Sequence, residues 1–338
     1  MIFLQIVIGG ITRLTGSGLS ITEWDIVMGT IPPLNEAGWI EEFNKYKNTP
    51  QYEKINEGMS LGQFKFIYFW EYVHRLWARL MGFVFIIPFS FFFIKKVLPR
   101  RLRFNLLKVV LLAMAAASFG WIMVASGLVE RPWVNAYKLS LHLLLGISVF
   151  VMLFWTIYDY HRSGERNLVP EKSAYPTLLK AILIILVAQL IFGGWMSGMR
   201  AALFYPTWPL IGEHVFPPEV FIGYNWKLSS FINYDDGPFV VGLVQVLHRM
   251  TAYLLVLLMI WYAAKSSDWR GSGNKRVSFY IFICFLMVQV ILGIVTLLLS
   301  KSTIPVLWGV LHQGMGVLVF TAGLFHYFEL KYKYVDQN

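Results

Sequence analysis

Apolar residues in this chain do not alternate with polar ones; they continue through whole segments. Seven such segments, about 64–94, 104–127, 136–158, 177–196, 239–263, 277–299 and 304–330, are each long enough to cross a bilayer core as a helix, which takes roughly 20 residues. The opening stretch 1–12, MIFLQIVIGGIT, is apolar but too short to span. It has neither the basic flank nor the small-residue cleavage site of a signal peptide. It reads as the outer half of a first helix whose inner half is missing from this sequence. The long polar stretches 13–63 and 197–238 are rich in Gly, Pro and Trp and read as folded caps. Residues 35–63 scatter aromatics among charges, the pattern of an interfacial amphipathic helix or of a solvated loop helix.

Composition removes the soluble alternatives. Of 338 residues, 57% are hydrophobic and 14% charged, against about 25% charged in a soluble domain. The formal net charge of +10 is therefore a topology signal and not a nucleic-acid footprint, because Lys and Arg collect on the cytoplasmic side of membrane proteins. The segment KKVLPRRLR at 95–103 has five bases and no acid, and 264–276 has four bases against Asp268. The stretch 13–63 has seven acids and four bases, and 197–238 has four and two. This alternation places both termini in the cytoplasm and both long loops outside. Trp24, Trp133, Trp208 and Trp226 then lie where interfacial anchors are expected. The single cysteine, Cys284, excludes an intrachain disulfide and reads as packing.

The chain repeats itself. VIGGITRLTGSG, EYVHRLWARLMGFVF, GWIMVASGLVERP and KLSLHLLLGISVF in the first half match LIFGGWMSGMRAA, QVLHRMTAYLLVLLM, ILGIVTLLLSKSTIP and GVLHQGMGVLVF in the second. Four spans per half make these parallel repeats. The expected fold is an all-α integral membrane protein of eight transmembrane helices, built as two four-helix bundles, 1–168 and 169–338, with the first helix truncated.

Each half carries two histidines inside its spans, His74 and His142, then His248 and His312, 68 and 64 residues apart. Intramembrane ionisable residues are costly and usually functional. At about 1.5 Å rise per residue, all four fall at one depth in the outer half of the bilayer. Imidazoles facing across a bundle suit axial ligation of haem iron; zinc or copper would want further Cys, Asp or Glu ligands. Arg75 and Arg249 each follow a histidine, and Arg79 lies one turn deeper than Arg75. Haem carboxylates would partner them; snorkelling to headgroups is the alternative. Gly9, Gly10, Gly120, Gly193, Gly194 and Gly293 fit close helix approach, or a flat macrocycle against the backbone. His161, His214 and His326 are assigned no role.

The halves differ at one position. Glu71 lies one turn before His74 on the same helix face, where the second half has Gln245 before His248. A carboxylate in one of two similar sites suggests proton-coupled chemistry there and electron storage or relay in the other. The competing role for Glu71 is a structural ion pair with Arg75 at i+4.

GGITRLTGSGLSITEW (9–24), EYVHR (71–75), SGL (126–128), PWVNAYKLSLH (132–142), GGWMSG (193–198), VLHR (246–249) and LHQ (311–313) together resemble the haem A synthase family over essentially the whole chain. Lacking a cysteine pair, the sequence is similar to the mitochondrial and alphaproteobacterial type. The resemblance implies oxidation of the C8 methyl of haem O to a formyl group for cytochrome oxidase. It implies that His74 and His142 bracket the substrate haem O, that His248 and His312 ligate a b-type haem, and that Glu71 is the essential carboxylate. It further implies haem O synthase as substrate supplier, an electron-transfer partner and a lipid-open pocket in the cell (inner) membrane, or the mitochondrial inner membrane in a eukaryote. Homo-oligomerisation is left open. A di-haem b-type electron-transfer cytochrome and a parallel-repeat transporter are the rival readings.

Overall fold

The computed structural model describes residues 1–23, 31–129, 131–163, 168–170, 176–266 and 273–334; Trp24 lies outside them. Helices dominate: α1 (Ile2–Leu14), α2 (Glu36–Lys47), α3 (Leu61–Ile94), α4 (Arg100–Gly127), α5 (Ala136–Ser163), α6 (Pro176–Gly198), a short α7 (Leu228–Ile232), α8 (Pro238–Lys265), α9 (Gly273–Leu299) and α10 (Val306–Lys331). Seven of these are long and apolar enough to cross a membrane, and α1 is a shorter apolar helix. The chain is thus a multi-pass, all-α membrane protein. Inside a bilayer a helix satisfies every backbone group within itself, so long apolar runs adopt this form.

Local chemistry sets the ends. α3 begins at Leu61, before its apolar run, because Ser60 Oγ accepts from the Gln63 amide at 3.3 Å and Gln63 Oε1 accepts from the Ser60 amide at 2.9 Å, a reciprocal cap. Asn35 Oδ1 accepts from the Gly38 amide at 2.8 Å and starts α2. Pro238 occupies the first turn of α8, where its missing N–H costs nothing.

The chain divides into two compact units, Met1–Thr156 and Ile157–Asn338. In the first, α1 packs along α3, and Thr12 donates to the Trp70 carbonyl at 3.1 Å. The loop after α1 folds back into the protein, burying Ser17, Leu19 and Ser20. Leu19 lies against Gly127, where a Cβ would stand 3.0 Å from Leu19 Cδ2, so a larger residue at that end of α4 would have to push Leu19 aside.

The stretch 35–63 is one helix, α2, and a single turn at Tyr52–Asn56. Its aromatic face is taken by α3 rather than left for lipid. Phe43 stacks on Phe64 at 4.9 Å and Trp39 meets Tyr68 edge-on at 5.0 Å, arrangements favoured by ring quadrupoles. Glu23, Glu41 and Glu42 surround Lys45 and hold its ammonium charged above the ordinary lysine range.

Tyr46 is fully buried in this cap, its hydroxyl donating to Gln51 Oε1 at 3.0 Å and accepting from Asn56 Nδ2 at 2.6 Å. Burial pushes its phenol up to about 12. A raised phenol stabilises the fold fully below its unfolded value, about 10, and that contribution is lost as pH rises toward 12. The cap therefore loosens above about pH 10, measurable as proteolysis within 36–56, and Tyr46→Phe removes this alkaline component.

The second unit centres on a core from α6 (Leu179, Ile182, Leu186), α8 (Leu255, Met259, Tyr262), α9 (Phe279, Phe282) and α10 (Val319, Ala322). Leu168–Pro170 (β1) pairs antiparallel with Tyr332–Tyr334 (β2). His326 is fully buried. Its ring nitrogens meet Tyr262 Oη at 2.7 Å and Ser278 Oγ at 2.8 Å, a satisfied core histidine. Cys284 is exposed on α9 and takes no part in the core. Trp208 and Trp226 are exposed on the second loop.

Candidate functional site

Glu71 is a clamp between α3 and the loop after α1. It is buried, yet its carboxylate takes four hydrogen bonds. Oε2 accepts from the Ser20 amide at 2.7 Å, the Ser20 hydroxyl at 2.8 Å and the Ile21 amide at 2.9 Å. Oε1 accepts from Arg75. Arg75 also donates to the carbonyls of Ile21 and Glu23 at 3.0 and 3.1 Å. The i+4 ion pair that the sequence allowed is therefore formed.

The second unit repeats this architecture with inverted polarity. Gln245 is fully buried; its Nε2 donates to the Ala201 carbonyl at 2.6 Å and its Oε1 accepts from Arg249. Arg249 donates to the carbonyls of Leu210 and Tyr205 at 3.0 and 3.2 Å. Arg200 turns the chain at φ 52°, a region non-glycine residues seldom enter, just before Ala201. The first loop turns backbone N–H groups toward its helix and so takes a carboxylate. The second turns carbonyls inward and so takes an amide.

The predicted histidines come together in pairs. His248 and His312 face each other with ring centroids 6.3 Å apart and planes at 81°. A metal–imidazole bond is about 2 Å, and the ring centre lies about 1.1 Å behind its ligating nitrogen. A separation of this size leaves room for a metal ion between the rings, so His248 and His312 are the residues that would hold one. His74 and His142 lie within electrostatic range of each other. All four rings are half-buried. Around the second pair Gln189 Oε1, Gln289 Oε1, His248 Nδ1 and Arg249 Nε are buried without a partner, a concentration unusual for a finished core. Among the described residues, no three His, Cys, Asp or Glu side chains form a metal cluster, so a coordinating site built on pairs suits a macrocycle-held ion better than a bare one.

Arg75 and Arg249, assigned from sequence to haem carboxylates, are held largely by loop carbonyls. Arg79 lies one turn past Arg75, half-buried on α3. Sequence reasoning missed Ser20 and the amide of Ile21, whose roles belong to the backbone. It also missed Gln5, whose Nε2 lies 3.1 Å from His74 Nδ1, and Gln189, whose Nε2 lies 3.4 Å from His248 Nε2. These two glutamines are equivalent in the repeat, four residues before Gly9 and Gly193, so the repeat register was the signal that could have found them.

Residues 1–324 match the family model COX15-CtaA, cytochrome oxidase assembly protein. The chain is 40% identical to the haem A synthase of Nitrosospira multiformis, over 98% of this chain and 90% of that protein. It is 38% identical to the haem A synthase of Wolbachia sp. subsp. Brugia malayi, over 96% and 92%, and 38% identical to that of Rhizobium meliloti, over 96% and 86%. The duplicated helical architecture, the two histidine pairs and the matched length agree: the chain belongs to the cytochrome oxidase assembly protein family.

Proposed function

We propose that this chain makes haem A, oxidising the C8 methyl of haem O to a formyl group by successive hydroxylations and loss of water. The observation that carries the reading is the inequality of two otherwise equivalent sites, Glu71 above His74 and Gln245 above His248, in a chain whose relatives are haem A synthases. His74 and His142 hold the substrate through its iron. Glu71 takes up a proton from the attacking water or the hydroxymethyl intermediate, releasing at least one of its four donors to do so. Arg75, Arg79 and Arg249 pair with haem carboxylates; the orphaned Nε–H of Arg249 is a donor left for such a group. The loops clamped by Glu71–Arg75 and Gln245–Arg249 exclude water.

His248 and His312 are the residues that would hold a b-type haem, which supplies one-electron transfer when bound. The 6.3 Å ring separation supports that assignment. A haem O synthase would supply the substrate, and an outside electron-transfer partner would take the electrons. The termini are assigned to the cytoplasmic side of the inner membrane by the loop charges.

Co-expression with a haem O-forming enzyme, followed by chromatography of the extracted haems, tests the reading. Haem A or hydroxylated haem O is expected. Haem B alone would replace the synthase with a di-haem electron-transfer cytochrome.

A further inference from the structure

Each of the four histidines faces a glycine on a neighbouring helix. In an α-helix the Cβ leans toward the N-terminus, so a side chain covers the turn before its own Cα. A glycine leaves that turn bare. His142 Nδ1 lies 2.9 Å from the Ala116 carbonyl, four residues before Gly120. His312 Nδ1 lies 3.2 Å from the Gln289 carbonyl, four residues before Gly293. A Cβ on Gly120 would stand 2.9 Å from His142 Cε1, and one on Gly293 would stand 2.8 Å from His312 Cε1. Both separations are too short for a real Cβ.

At the other two histidines a glutamine side chain stands at the same position, and the Gln189 backbone also meets His248. Gln5 and Gln189, four residues before Gly9 and Gly193, reach His74 and His248. The corresponding Cβ separations are 3.0 Å at Gly9 and 3.4 Å at Gly193. At each of these four positions the bare glycine faces an imidazole edge.

A carbonyl can only accept, so the nitrogen facing it carries the proton. His142 and His312 are thereby held as Nδ1–H tautomers with the Nε2 lone pair turned to other use, the arrangement metal-bound histidines usually adopt. We propose that Gly120 and Gly293, by uncovering the carbonyls of Ala116 and Gln289, are positioning residues that fix the tautomer and ring angle of His142 and His312. The consequence for bound haem rests on the proposed ligation; the tautomer itself does not.

Two measurements test this on the full-length protein. In the purified, reduced holoprotein, Gly293→Ala should retain haem but shift its reduction potential, and after oxidation shift its low-spin EPR signal. Gly82→Ala on α3, where an added Cβ meets nothing within 4 Å, should leave both unchanged. Alanine is the better helix former, so a purely structural role predicts unchanged or raised thermal stability with no spectroscopic shift. Haem-bound Gly293→Ala with wild-type potential and EPR overturns the proposal. Should Gly293→Ala not fold, nitrogen-15 NMR of histidine-labelled protein decides. Nδ1–H resonances assigned through His142→Leu and His312→Leu support it, and Nε2–H tautomers at those positions overturn it. A wild-type protein that binds no haem, yet shows those Nδ1–H resonances, sinks the ligation reading and leaves the positioning intact.

Discussion

Glu71→Gln folds, keeps the absorption of the second-half haem, and forms about a hundredth or less of the parental haem A, since a general acid–base group contributes roughly 10²–10⁴ in rate. Its environment makes this more than the loss of a base. The Ser20 amide, Ser20 hydroxyl, Ile21 amide and Arg75 all donate to the two carboxylate oxygens. A glutamine has one acceptor oxygen, and its amide hydrogens meet donors whichever way it turns. Leaving such a buried group unsatisfied costs about 1–3 kcal/mol, so the loop over His74 loosens as well. Ser20→Ala separates the two effects, because it removes one hydroxyl donor and leaves the carboxylate in place. Ser20→Ala should keep most activity while Glu71→Gln loses it, measured as the ratio of haem A to haem O in extracts. Equal losses would make Glu71 a loop clamp only, and full activity in Glu71→Gln would remove it from the mechanism.

His312→Leu abolishes the b-type absorption bands, and His248→Leu does the same. Leucine suits a bilayer-spanning helix, so the span persists and only the coordinating nitrogen is lost. The two rings face each other with centroids 6.3 Å apart, so losing either nitrogen would leave the pair one ligand short. The measurement is a reduced-minus-oxidised spectrum of purified protein at matched concentration. Bands surviving either substitution would break the ligand assignment. The contrast with Glu71→Gln, in which these bands persist, separates the two halves experimentally.

Sequence-level reasoning reached the spans to within a few residues, because hydrocarbon thickness dictates their length and nothing competes with that demand. It found the four histidines for a related reason, since ionisable groups stand out against an apolar background. It placed Glu71 opposite Gln245 through the repeat. It left residues 35–63 open between an interfacial and a solvated helix, and their aromatics Phe43 and Trp39 pack on Phe64 and Tyr68 of α3. Composition cannot say which apolar surface will cover another.

The sequence by itself determined a duplicated, multi-pass helical protein with two histidine pairs and one odd carboxylate, because bilayer spanning and repetition are properties of pattern along the chain. Only the tertiary structure decided what those residues touch. Glu71 could be a lone base or a paired acid until the loop at Ser20 and Ile21 was seen to turn its N–H groups inward, and Gln245 until the loop at Ala201 was seen to turn its carbonyls inward. Gly120 and Gly293 could serve any close approach until His142 and His312 were found against them. Backbone polarity and the bare side of a helix carry no local sequence signature. They emerge when segments distant along the chain fold against each other.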